Sequence, residues 1–125
     1  MKSGWISSLY GYRKDPFTGK RAFHKGIDIA GKEGSKVMAV ASGVVSFAGS
    51  KSGFGMMVEI RHGNGYTTRY GHNKKLFVET GDLITKGEVI GLLGSTGRST
   101  GPHVHFEVAL NDKTVDPQKF MKEID

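Results

Sequence analysis

The sequence predicts an all-β fold: an antiparallel β-sandwich or barrel–sandwich hybrid with a duplicated strand-and-hairpin motif and one short C-terminal helix. Three observations carry that prediction. Short apolar runs recur along the chain, several with the two-residue alternation of half-buried strands. Nineteen of the 125 residues are glycine, roughly double the usual ~7%, and they follow no triplet period, so they punctuate turns. Helical periodicity is nearly absent before the last ten residues.

The elements follow in chain order. Residues Met1–Arg21 form an opening segment with Tyr10-Gly11-Tyr12 and the sequence Asp15-Pro16-Phe17-Thr18-Gly19. Proline after aspartate, with glycine three residues on, suits a tight turn. Phe23–Ala30 alternates as one strand. Val37–Ala41 and Gly43–Ala48 read as two short strands parted at Ser42-Gly43. Met56–Arg61 and Tyr66–His72 flank His62-Gly63-Asn64-Gly65, where Asn-Gly supplies the positive-φ pair of a hairpin turn. Alternation then puts Tyr66, Thr68, Tyr70 and His72 on one face of the returning strand. Leu76–Val78, Leu83–Ile84, Val89–Leu93 and His103–Leu110 complete about eight strands. Asp116 can cap a terminal helix whose first position is Pro117. A faint echo between Gly43–Ser50 and Gly87–Ser95, each a glycine, an apolar strand and Gly-Ser, hints at a duplication.

A length of 125 residues makes one compact domain with a real core. Cysteine is absent, which excludes disulfides and thiolate metal sites and says little about compartment. The net charge of +6 and pI near 9.6 suit an acidic partner surface, although solvated surface lysines explain them as well. The lysines are spread through the chain, without the basic run of a nucleic-acid patch. The longest apolar stretch, Val37–Ala41, is far short of the ~18–20 residues of a membrane span. Gly94–Pro102 is glycine-rich, but without a Gly-Lys-Ser/Thr ending and a following helix it is no nucleotide loop. It is expected to wall a substrate groove.

Chemistry concentrates in two clusters: His24-Lys25-Gly26-Ile27-Asp28, and Gly101-Pro102-His103-Val104-His105-Phe106-Glu107-Val108. On extended strands, residues two or four apart share a face. His24 and Asp28 therefore project together, as do His103 and His105, while Ile27, Ile29, Val104, Phe106 and Val108 face a core. Gly26 removes a side chain that would crowd an ion between His24 and Asp28. Two imidazole nitrogens and a carboxylate oxygen, with a fourth position left to water, make a catalytic zinc arrangement. Spacing does not distinguish His103 from His105. Glu107 shares their face, either as an acceptor orienting an imidazole or as a solvent-facing strand residue. His62, in the hairpin turn, reads as non-catalytic.

His-x-x-x-Asp, Tyr70-Gly71-His72 and Gly-Pro-His-x-His-Phe-Glu, in this order from about Gly11 to Pro117, resemble the lysostaphin-type peptidoglycan endopeptidases. The phrases His62-Gly63-Asn64-Gly65-Tyr66, Gly81-Asp82 and Lys86-Gly87 match as well. The resemblance implies one Zn²⁺ held by His24, Asp28 and His105, with His103 as general base and His72 as its catalytic partner. It implies hydrolysis of peptide cross-links in bacterial peptidoglycan, with a D,D-endopeptidase favoured over glycine-bridge cleavage. The expected partners are peptidoglycan peptides, met by a monomer that neither binds nucleic acid nor inserts stably into a membrane.

Such an enzyme works outside the cytoplasm, in periplasm, envelope or medium. Met1-Lys2-Ser3-Gly4-Trp5 has no apolar signal core. Residues 1–125 are accordingly expected to be a single catalytic domain, excised from a longer exported protein, or else delivered by another route. Relatives that lost zinc ligands activate wall amidases instead of cutting, so a non-catalytic regulator is the alternative. A His-phosphorylated carrier domain ranks last, because His-x-x-x-Asp has no use there. No residue in Met1–Phe23 looks like a plug for the fourth zinc position.

Overall fold

The computed structural model of the chain describes residues 5–8, 10–14, 21–94 and 101–124. The expected Asp15–Gly19 turn, the signal-poor residues 1–4 and the centre of the Gly94–Pro102 loop lie outside them, as do residues 1–4, 9 and 15–20 of the segment searched for a zinc plug.

Among the described residues there are twelve strands and one helix. The strands are β1 (Trp5–Ser8), β2 (Gly11–Lys14), β3 (Arg21–His24), β4 (Ile27–Ala30), β5 (Lys36–Met38) and β6 (Gly43–Lys51). They continue with β7 (Gly55–Gly63), β8 (Tyr66–Leu76), β9 (Leu83–Ile84), β10 (Val89–Leu93), β11 (His103–Leu110) and β12 (Lys113–Val115), before helix α1 (Pro117–Ile124). Every pairing between them is antiparallel. Ten strands form one sheet along the path β1-β4-β11-β8-β7-β6-β9, with β10 joining β8 to β5 and β12 added to β11; β2 and β3 pair separately.

The β7–β8 turn forms as its Asn-Gly demands, with positive φ at Asn64 (52°) and Gly65 (82°). These values match the right-handed strand twist in a two-residue hairpin. Helix α1 also starts where expected: the Gln118 amide donates to Asp116 Oδ1 at 3.0 Å, and Pro117 has no amide hydrogen to satisfy.

Two strand expectations need correction. Phe23–Ala30 is not one strand. β3 ends at His24 and pairs with β2, whereas β4 begins at Ile27 and pairs with β1 and β11. The break at Lys25-Gly26 presses the chain against β11, where a Cβ on Gly26 would collide with the Phe106 carbonyl and lie 2.8 Å from Glu107 Cγ. Leu76–Val78 is also not separate: β8 runs through Leu76, and Phe77 then leaves the strand while its amide donates to the Ile90 carbonyl. Strands β1, β2 and β12 are short and were not legible from alternation.

Register builds the core. Ile27, Phe106 and Tyr70 lie side by side across β4, β11 and β8, and Tyr70 faces Val58 on β7. These residues join Val37, Val45, Ile60, Ile84, Ile90, Leu93, Val104, Val108 and Phe120 in one buried cluster. Strands from β4 to β9 along the path, together with β5, β10 and α1, therefore enclose a single core. The opposite face of β4, β11 and β8 is left for polar chemistry.

Candidate metal centre

That polar face is built by pairing. His105 on β11 lies directly opposite Asp28 on β4, where facing side chains are within contact reach. His105 Nδ1 is 2.7 Å from Asp28 Oδ1. His24, at the end of β3, reaches the other oxygen, with Nε2 3.5 Å from Asp28 Oδ2. One donor atom each from His24, Asp28 and His105 lies within 4.8 Å of the others. The break at Gly26 moves His24 off the strand of Asp28 without separating them. The glycine's role is not the one expected: what it clears is β11, not the space between the donors.

The electrostatics follow from the contacts. Burial works to raise the Asp28 pKa, but hydrogen bonds and charge from His105 and His24 outweigh it and hold the carboxylate well below its usual range. Burial likewise pushes the His105 pKa down, yet Asp28 and Glu107 overcome it and raise the imidazole from 6.5 to about 9. His105 Nε2 is 2.9 Å from Glu107 Oε2. Since Glu107 only accepts, that nitrogen carries a proton and Nδ1 is the one aimed at Asp28. Glu107 is buried, not solvent-facing; burial works to raise its pKa, but the hydrogen bonds and charges of His105 and Arg69 together outweigh that and hold its carboxyl low.

His103 stands beside this group. Its Nδ1 is 2.9 Å from the Gly101 carbonyl, an acceptor, so Nδ1 bears the proton of the neutral ring and Nε2 is the basic nitrogen. The His72 ring lies 5.0 Å from that of His103 and 6.3 Å from that of His105.

His72 reaches the site against the alternation of its strand. Tyr70 and Thr68 face the core, and simple alternation would send His72 there too. Instead β8 carries a bulge: Met56 pairs with Asn73 and Val58 with Tyr70, so Gly71 and His72 together oppose the single residue Met57. His72 takes φ = 65°, the left-handed region that histidine enters more often than most non-glycine residues. The buried Asn73 amide clamps the bulge by donating to the carbonyls of Met56 (3.0 Å) and Tyr70 (2.8 Å). The His72 amide donates to the Phe54 carbonyl at 2.6 Å. Positive φ at such a residue costs on the order of 1–3 kcal/mol and persists only where its surroundings enforce it.

His24, Asp28, His72, His103 and His105 all line one cleft of about 620 Å³. Sequence reasoning missed several further lining residues, Phe54 and Arg69 among them. Phe54, at the tip of the β6–β7 hairpin, lies against Gly71, where a Cβ would be 3.1 Å from its ring, and sits 5.7 Å from the His105 ring. Arg69 lies between Glu59 and Glu107, bonded to both. Neither belongs to a motif; only the pairing of strands brings them in. His62 stays out of the cleft, spanning the Ser42 carbonyl (2.7 Å) and Thr68 Oγ1 (2.6 Å). Burial pushes its pKa down, against the opposing pull of Ser42.

Comparison with known proteins agrees with this architecture. The sequence profile of Peptidase family M23 matches residues 22–117. The DD-carboxypeptidase/endopeptidase Mpg of Neisseria meningitidis serogroup B is 47% identical over 112 residues, covering 90% of this chain and 26% of that protein. A zinc-containing peptidase from Vibrio cholerae superposes with a TM-score of 0.83 at 38% identity, over 93% of this chain and 36% of the other. The catalytic domain of the antimicrobial peptidase lysostaphin from Staphylococcus simulans gives a TM-score of 0.85 at 31% identity, over 95% and 92% of the two chains. The chain spans about a quarter of the length of the Neisseria relative. The matched profile takes in His24, Asp28, His72, His103 and His105, and likeness in sequence and shape extends over nine-tenths of the molecule: the chain belongs to Peptidase family M23.

Proposed function

We propose that this chain is a zinc-dependent endopeptidase domain that hydrolyses peptide cross-links of bacterial peptidoglycan, with a preference for D,D bonds. The observation that carries the proposal is the convergence of His24, Asp28 and His105 beside two further imidazoles in one cleft. Two nitrogens and a carboxylate oxygen, with no fourth side chain in the cluster among the described residues, are a donor set of the catalytic zinc type. Zinc bound there supplies Lewis acidity toward a carbonyl oxygen and toward water. The D,D preference is supported by the named activity of the Neisseria relative.

In this reading His24 Nε2, an Asp28 oxygen and His105 Nδ1 would hold the ion, with His105 Nδ1 giving up the proton it shares with Asp28. Glu107 keeps the other His105 nitrogen protonated and fixes the ring. His103 accepts the nucleophile's proton at Nε2 and returns one to the leaving amine, while Gly101 holds its Nδ1 proton in place. His72 donates a hydrogen bond to the oxyanion that develops on the scissile carbonyl. Phe54 supplies an apolar wall beside the reacting peptide. The work is done outside the cytoplasm, by one copy of the chain. Among the described residues no helix is long and apolar enough to cross a membrane.

The test is digestion of isolated peptidoglycan by zinc-loaded protein, with products identified by mass spectrometry. Cleaved cross-links, lost with a chelator and restored by zinc, are expected. Intact cross-links after full zinc loading would replace this reading with that of a non-cutting regulator.

A further inference from the structure

We infer that Arg69 and Glu59 are positioning residues for the metal centre, fixing the Glu107 carboxylate that in turn orients His105. The inference rests on the zinc reading above. Sheet register sets the arrangement: Glu107, Arg69 and Glu59 lie directly side by side on β11, β8 and β7. On the polar face they form the next row beyond the one that pairs Asp28 with His105 and Gly71, with the core-facing Phe106 row between.

The contacts run without interruption from the centre outward. His105 Nε2 is 2.9 Å from Glu107 Oε2. Arg69 Nη1 donates to Glu107 Oε1 at 3.3 Å, and Arg69 Nε donates to Glu59 Oε2 at 2.7 Å. Ser46 Oγ donates to the remaining Glu59 oxygen at 2.7 Å. Both Glu107 oxygens are therefore committed, one to Arg69 and one to His105. The carboxylate cannot rotate away from the imidazole without breaking the guanidinium contact.

A planar guanidinium with donors aimed at two separate carboxylates suits this task, and a flexible ammonium does not. Carboxylates that hold the far nitrogen of a ligating histidine set its ring orientation. Here that carboxylate is itself buried and needs an opposite charge to stay in place. Arg69 supplies the charge, and Glu59 fixes the Arg69 side chain from the far side. A purely structural ion-pair row would predict a different result: loss of Arg69 would lower stability and leave the metal site as it was.

The experiment measures Zn²⁺ affinity by competition with a chromophoric chelator, and the visible absorption of the Co²⁺-loaded protein at full occupancy, in the parent, Arg69→Met, Arg69→Lys and Glu59→Gln. Each variant is first checked for its β circular-dichroism spectrum. The expected result is Zn²⁺ binding weakened by about 10–100-fold in Arg69→Met, with a shifted Co²⁺ spectrum. Glu59→Gln changes in the same direction, by less. Should Arg69→Met not fold, Arg69→Lys decides, since it keeps the charge but cannot bridge both carboxylates. Parent affinity and an unshifted Co²⁺ spectrum in the deciding variant would overturn the inference alone. A parent that binds neither ion would overturn it together with the zinc reading.

Discussion

His105 is the residue on which the centre turns, because it holds two carboxylates at once. Raised to about 9 from an ordinary 6.5, it stabilises the metal-free fold fully below about 6.5, and that contribution is lost as pH rises through 9. His62 has the opposite sign. Its pKa is depressed by burial, so its contribution is present above 6.5 and lost as pH falls below it. Together they place the stability maximum of the metal-free protein near pH 6.5, with a lower melting temperature on either side. A melting temperature rising steadily from pH 6 to 9 would contradict the pairing. In the proposed centre zinc binding releases the same His105 proton, so the apparent affinity is expected to rise about tenfold per pH unit between 7 and 9. Excluded from the cleft, His62 is tied into the fold through Ser42 and Thr68, so His62→Ala should cost stability without touching the metal.

At the scale of elements, what could be read from sequence was whatever regular alternation controls. His103, His105 and Glu107 share a face because β11 is an unbroken strand, and the Asn64-Gly65 turn and Asp116-Pro117 helix start depend on local chemistry alone. His72 was picked out by its motif, yet alternation placed it with core-facing Thr68 and Tyr70. The β8 bulge reverses this, and Gly71 and Asn73 are its only local signs. The Glu107–Arg69–Glu59 row was invisible because a single sequence does not reveal which strand lies beside which. The break between β3 and β4 depends on packing too. Gly26 is required by the Phe106 carbonyl, backbone that cannot swing aside. Gly26→Ala should therefore destabilise by about 1–3 kcal/mol in urea unfolding and weaken metal binding by forcing His24 and Asp28 apart. Parent-like stability would show that the close approach is not needed.

On the scale of the whole molecule, the charge of +6 acts over distance whereas the metal centre acts at contact. Exposed charges are screened over ~8–10 Å at physiological ionic strength. Added salt should therefore weaken attack on intact anionic sacculi and leave cleavage of a short cross-linked fragment nearly unchanged. Equal sensitivity of both substrates would remove surface steering and leave the centre untouched. The central claim is the division of labour among histidines that one cleft brings together. Its most direct test is the zinc content of five alanine variants, measured beside their cleavage of a soluble cross-linked fragment. His24→Ala, Asp28→Ala and His105→Ala should lose most of the metal while keeping the β fold. His72→Ala and His103→Ala should keep it and lose activity by ~10²–10⁴-fold. Full zinc in His105→Ala, or its loss in His103→Ala, would contradict the assignment.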